Sequence, residues 1–217
     1  MGRGYVTPIN YARNPCYHNR ESIMAITQQQ LNHITESLQL SLVLVGHMGS
    51  GKSNVGRLVA QQLGLGYADS DKKIEKVAGI SIVDIFELYG EDKFRESELR
   101  EINTLLEHRP IQVISVGGGA FVQPNCHEAI RQKGFSIWLQ ASPETLVSRI
   151  SNFASRPLLK DRDPLEVLTQ LSAQRDPFYE QADLVVNTDG LEIPDSVNKV
   201  LTALDAHFYD IPHGQSL

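Results

Sequence analysis

The chain has 217 residues, 41% of them hydrophobic and 21% charged, which suits one globular domain with a sizeable core and argues against wholesale disorder or a fibrous class. Its formal net charge of −6 argues against a general nucleic-acid binder, so any anionic ligand must be met by locally placed Lys and Arg. No apolar run approaches the roughly 20 residues needed to span a bilayer, the start lacks the apolar stretch of a secretory signal, and Cys16 and Cys126 form neither a CxxC pair nor a framework, so a cytoplasmic protein is expected.

Residues 1–23 carry prolines, glycines and polar side chains without a sustained period, and residues 1–38 read as an N-terminal extension, poorly ordered or loosely docked. Met24 opens AITQQQLNHITESLQL, the pattern of a short helix. Met24 as the true start, and a tail with some packing role, both stand open. A chain starting near Thr35 is expected to keep most of its activity. Residues 39–208 read as the domain and residues 209–217 as a C-terminal tail.

Residues 40–45 (LSLVLV) are an almost continuous apolar run ending in glycine, the mark of a strand buried on both faces of a parallel sheet. Lys52–Leu63 follows as an amphipathic helix with Val55, Leu58, Val59 and Leu63 on one side. A second strand is expected over residues 66–68, and further short apolar runs lie at 113–116, 135–139 and 184–186. Helical patterns separate them at 91–107, 124–133, 143–150 and 164–181, and another at 194–208 closes the chain. Strands alternating with helices predict an α/β, three-layer sandwich around a five-stranded, mostly parallel sheet, with no internal repeat.

Residues 46–53, GHMGSGKS, fit G-x-x-x-x-G-K-[ST], whose chance occurrence in a chain of this size is on the order of one in a hundred. The motif sits between a buried strand and a helix, the setting of a phosphate-binding loop. Glycines let successive backbone N–H groups curve around phosphate oxygens, and the helix N-terminus adds a favourable dipole. Gly49, Ser50, Gly51, Lys52, Ser53 and Asn54 are therefore candidate ATP-binding residues. Lys52 is placed to neutralise the β and γ phosphates, and the Ser53 hydroxyl to ligate Mg²⁺. His47 reads as a side chain turned away from the phosphates.

Asp69-Ser70-Asp71 closes the second strand, where alternation along an extended segment is expected to send both carboxylates to one side. At the carboxyl end of a parallel strand they would face the ligand crevice, one serving a metal and the other a substrate hydroxyl. The D-x-D pattern alone is also common at turns and helix caps.

With its downstream segments, the sequence resembles the shikimate kinase family of small P-loop kinases. The resemblance rests on GHMGSGKSNVGRLVAQQLG and YADSDKKIEKVAGISIVDIFELYGEDKFRESE, then on VGGGA at residues 116–120, RPLL at 156–159 and QRDPFYEQAD at 174–183. It implies a P-loop kinase with a mobile lid that uses Mg-ATP to phosphorylate the 3-hydroxyl of shikimate. It also implies that Asp69 assists Mg²⁺ through its water shell, while Asp71 contacts the substrate hydroxyls and serves as general base. Arg95 and Arg175 would grip the substrate carboxylate, and Gly117, Gly118 and Gly119 would let the substrate lie against backbone. Arg156 would swing in on the lid to reach the transferring phosphate, and Arg149 would cover the adenine. A monomer with no nucleic-acid or membrane partner is expected.

The chemistry of the residues agrees. Shikimate is a carboxylate with a ring of hydroxyls, and Arg supplies the planar bidentate grip that Lys cannot reproduce. Phosphoryl transfer asks a protein mainly to position groups and neutralise developing charge.

Each residue also has a plainer reading. Asp71 could cap a helix beginning at Lys72, Arg95 could pair with Glu91 or Glu98, Arg156 could be one solvated charge among several, and Arg175 could sit in a surface ion pair. Two departures from the family pattern stand out. Asn54 occupies a place where threonine is common, and Val116 replaces a threonine often seen before the glycine triplet. The latter would alter a hydrogen bond near the metal or the β-phosphate. The competing functions are another small-metabolite kinase, such as a gluconate kinase, and a nucleotide-binding regulator without turnover. The arginines of GEDKFRESE and RDPFY speak against the first, and the retained loop lysine against the second.

Overall fold

The computed structural model describes residues 25–151, 159 and 162–209. In chain order the elements are α1 (Gln28–Ser37), β1 (Ser41–Val45), α2 (Lys52–Leu63), β2 (Gly66–Asp69), α3 (Ser70–Ala78), α4 (Ile82–Glu107), β3 (Gln112–Ser115), α5 (Pro124–Lys133), β4 (Gly134–Gln140), α6 (Pro143–Arg149), α7 (Pro164–Tyr179), β5 (Leu184–Asn187) and α8 (Ile193–Tyr209), with a 3-10 turn over Ala120–Val122.

The unbroken apolar run of β1 is buried along its whole length because the strand lies at the centre of the sheet. Strand order is β2-β3-β1-β4-β5, and all four pairings are parallel. Alternation along β1 divides the core into two layers. Leu42 and Leu44 join the side chains of α1, α2 and α8 on one face, while Val43 and Val45 join those of α4 and α5 on the other. Parallel strands joined by helical crossovers leave the loops after β1, β2 and β3 together at one end, where a crevice opens.

The boundary expected at residue 38 falls inside this core. Thr27 caps α1 with a capping box that also uses Gln30, and the helix lies on α2 and α8. Ile34 is fully buried, as is most of Leu31 and Leu38, and Ile26 N–H donates to Asn198 Oδ1 at 2.9 Å. A chain beginning at Thr35 therefore loses Leu31 and Ile34 from the core. Burial of each such side chain contributes roughly 1.5–3 kcal/mol. For a chain of this size, the melting temperature should fall by roughly 10–20 °C relative to the full chain. An unchanged melting curve would return α1 to the status of a loosely docked extension.

The helical pattern found at residues 91–107 is the second half of α4. Gly90, with φ 79°, breaks the helix geometry there, so residues 82–89 form a separate first half entered through a Ser81–Asp84 capping box. Ile82 and Ile85 from that half pack with Ile74 and Phe94 into a small satellite core. The α3–α4 pair thus carries its own small core beside the crevice, while Val77, Leu88 and Tyr89 on it stay exposed.

Candidate active site

The crevice is a cleft of about 690 Å³ whose walls include Gly49, Lys52, Ser53, Asn54, Asp69 and Asp71. Gly51 N-caps α2 in a left-handed conformation at φ 89°. Gly49 has φ 80°, and a Cβ there would come 2.7 Å from Leu146 O, so both conformation and space require glycine. The Lys52 ammonium donates to Gly46 O at 2.8 Å and His47 O at 2.7 Å, which holds it on the inside of the loop. Ser50 is buried beneath the loop, with its hydroxyl 3.4 Å from Lys52 Nζ, and does not line the cleft.

The two acids reach the cleft for a different reason from the one expected. Asp69 ends β2 and N-caps α3, accepting from Lys72 N–H at 3.3 Å. Asp71 is already inside the first turn of that helix, so strand alternation does not align the pair and the cap is not Asp71. Ser53 Oγ–H donates to Asp69 Oδ2 at 2.9 Å and Tyr67 O–H donates to the same oxygen at 3.3 Å. A hydroxyl and a carboxylate therefore meet at the start of α2. Among the described residues no cluster of three or more His, Cys, Asp or Glu could hold a metal by itself. A site with so few protein ligands fits Mg²⁺, which binds by one or two protein oxygens plus phosphates and water.

The glycine triplet turns between β3 and the 3-10 turn. A Cβ on Gly117 would lie 2.8 Å from Asp71 Oδ1 and 3.1 Å from Glu98 Oε1, so a side chain there would displace the carboxylates. A Cβ on Gly119 would lie 3.1 Å from Arg95 Nη1, and Arg175 Nη1 donates to Gly118 O at 3.3 Å. Arg95, Arg175, Asp71 and the triplet are thereby brought to one place, although Arg95 and Arg175 are not part of the cleft's lining. Arg95 does pair on its own helix, with Glu91 at 3.0 Å and Glu98 at 2.7 Å. Three of its N–H groups are used there, which leaves further donors of the guanidinium for a ligand.

Glu98 is the site residue that sequence reasoning passed over as a surface partner. It is 1% exposed, and burial raises its carboxyl above the usual range against the opposing pull of Arg95. Its only sequence signal was the i, i+3 spacing from Arg95. Val116 lines the cleft next to Ser115, which also lines it.

On the opposite side of the loop, Arg149 lines the cleft with Gly190 and Leu191. It donates to Thr188 Oγ1 at 3.1 Å, Thr188 O at 2.6 Å and Leu191 O at 2.9 Å, so the guanidinium is fixed across the β5–α8 loop. Nothing in the sequence pattern pointed to Gly190 and Leu191. Arg156 lies outside the described residues, as does most of the expected lid.

His47 is turned away from the cleft, as its sequence position suggested, but it is not idle. It is 2% exposed, and its Nε2 lies 2.7 Å from Asp176 Oδ1. Burial holds the imidazole below its usual range despite the nearby Asp176 carboxylate.

A parallel α/β sandwich with a phosphate loop, a carboxylate beside the loop's Ser and a glycine turn flanked by two arginines opposite defines a P-loop small-molecule kinase. The shikimate kinase family model matches residues 48–205. The shikimate kinase of Mesorhizobium japonicum is 44% identical over 168 residues, 77% of this chain and 82% of its own length. Among solved structures, a shikimate kinase from Acinetobacter baumannii in complex with shikimate superposes with a TM-score of 0.73 at 34% identity, covering 78% of this chain and 95% of that one. The Aquifex aeolicus shikimate kinase gives 0.68 at 31% identity, over 77% and 97%. This chain belongs to the shikimate kinase family.

Proposed function

We propose that the chain transfers the γ-phosphoryl group of ATP to the 3-hydroxyl of shikimate, giving shikimate 3-phosphate for aromatic amino acid biosynthesis. The observation that carries this reading is the convergence of Arg95, Arg175 and Asp71 on the Gly117, Gly118 and Gly119 turn, across the crevice from the phosphate loop. An acid with several hydroxyls meets there both forked cations and a hydrogen-bond acceptor.

Gly49, Gly51, Lys52, Ser53 and Asn54 wrap the phosphates in this reading, and Arg149 closes over the adenine. Ser53 and Asp69 would hold Mg²⁺, with Asp69 acting through water; the ion, when bound, would neutralise charge on the β and γ phosphates. Lys52 bears on the γ-phosphate as it leaves. Arg95 and Arg175 orient the ring by its carboxylate, and Asp71 accepts the proton of the attacking hydroxyl. Arg156, by family resemblance, reaches the transferring group from the lid.

The direct test is shikimate-dependent ADP release. The expected result is turnover with shikimate and ATP together and little ADP without shikimate. Equal ADP release with gluconate in place of shikimate would overturn the substrate assignment.

Arg95→Ala and Arg175→Ala should each raise KM for shikimate about ten- to a hundredfold, the loss of a charge-assisted bidentate bond, with KM for ATP nearly unchanged. Arg95→Ala should also lower the melting temperature, because it leaves the buried Glu98 carboxyl without its cation. A rise in KM for ATP alone would remove both arginines from the carboxylate site.

A further inference from the structure

The acid-gripping arginine and the phosphate loop come from parts of the chain far apart in sequence. They must nevertheless present their charges to two ends of one reacting pair. The structure ties them together at a point that does not touch the cleft. His47, the second residue of the loop, is joined through Nε2 to Asp176, and Asp176 directly follows Arg175 in α7. His47 Nδ1 is buried with no hydrogen-bond partner among the described residues. With Asp176 Oδ1 as acceptor, Nε2–H is the donor of this bond, and burial works against a charged ring.

A second anchor lies one turn further along α7. Tyr179 O–H donates to Gly118 O, the carbonyl that also accepts from Arg175. The Tyr179 ring stands edge-on to the His47 imidazole, with centroids 4.9 Å apart and planes at 87°. Residues three apart share a helix face, so Asp176 and Tyr179 attach the same side of α7. The start of α7 is held by Val167 and Leu168 packing against Leu146, and these two attachments on different partners fix the orientation of its far end, where Arg175 lies. The long Arg175 side chain magnifies any roll at its tip.

We propose that the His47–Asp176 hydrogen bond is a positioning contact that sets the Arg175 guanidinium relative to the phosphate loop and so sets the affinity for the acid substrate. This rests on the reading of Arg175 as a carboxylate clamp. His47 touches neither substrate in this arrangement and acts only through α7. The bond is shielded from water at its His47 end and half-exposed at Asp176, and it joins the loop directly to α7, which suits it to holding the helix in one orientation.

The test is steady-state kinetics with shikimate and ATP varied separately, on the full chain. His47→Leu keeps volume and loses the donor; KM for shikimate should rise about five- to twentyfold, and by at least about threefold more than KM for ATP or kcat changes. His47→Gln can place its amide N–H where the imidazole Nε2–H lies, and should restore KM for shikimate to within about twofold. Asp176→Ala should match His47→Leu, and the double variant should add nothing, because the pair acts as a unit. A His47→Leu enzyme with unchanged KM for shikimate overturns the proposal. So do equal rises in both KM values, or losses that multiply in the double variant. If His47→Leu fails to fold, a folded His47→Gln with a raised KM for shikimate overturns it equally. Arg175→Ala separates the two levels. A raised KM there without one in His47→Leu defeats only the positioning role, whereas an unchanged KM in Arg175→Ala defeats the clamp and this inference with it.

Discussion

Lys52→Ala should lower kcat by roughly a hundred- to a thousandfold or more, the loss expected when one preorganised charge at a developing oxyanion is removed. The ammonium is held inside the loop by Gly46 O and His47 O, where it can exchange carbonyl partners for phosphate oxygens without moving far. The loop carbonyls Gly46 O and His47 O lie beside a cleft, where water can satisfy them after truncation, so the melting temperature should shift by no more than a few degrees. The chain's one tryptophan provides a check on the loop itself. Trp138 is 2% exposed, and a Cβ on Gly46 would lie 3.2 Å from its Cδ1, so its fluorescence reports the packing under the loop. An unchanged Trp138 spectrum with collapsed kcat is the expected pattern. Near-normal turnover would remove the loop from the chemistry.

The parts of this site written in consecutive residues were legible from the sequence. The phosphate loop needs a strand, a run of glycines and a helix N-terminus in immediate succession, and residues 41–63 contain all three in order. The central strands β3, β1 and β4 were equally open to reading, because a central parallel strand must be apolar on both faces. Asp69 and Asp71 were found for a reason that the backbone overturns. The helix begins at Ser70, one residue earlier than a strand-alternation argument allows, and no periodicity over three residues could have located that change. Helix α1 was misjudged because its polar face, rich in Gln, masks the two or three side chains that reach the core.

What depends on tertiary approach was not legible at all. Glu98 and Glu91 are equivalent on paper as neighbours of Arg95, yet one is buried in the site and the other is exposed. The His47–Asp176 contact spans 129 residues, and the motifs that hold the two residues give no sign that they meet. The arginine pair was also asked to decide more than it can. Gluconate carries a carboxylate as shikimate does, so two arginines alone do not separate the substrates; the order and spacing of segments from the loop to RDPFY, and the family match over residues 48–205, do.

Asp71→Asn should lower kcat by roughly a hundredfold or more while leaving KM for ATP within about twofold. The carboxylate lies in the first turn of α3, where the helix N-terminus favours negative charge, and Gly117 allows it to stand against the turn's backbone. Two roles compete for it. As proton acceptor it must be charged when the hydroxyl attacks; as an orienting group it need only accept a hydrogen bond. The loose transition state of phosphoryl transfer makes the contest real, because bond formation to the nucleophile is slight and its proton can leave late. Asn keeps an acceptor oxygen of the same reach and cannot take the proton, whereas Ala removes both abilities. If Asp71 is the proton acceptor, Asp71→Asn and Asp71→Ala should lose kcat to a similar extent. The buried neighbour Glu98 should then also ionise more readily in both variants, since the Asp71 charge is one of the influences raising its carboxyl. An Asp71→Asn enzyme that keeps more than about a tenth of its kcat, beside an Asp71→Ala enzyme that does not, would confine Asp71 to orienting the hydroxyl.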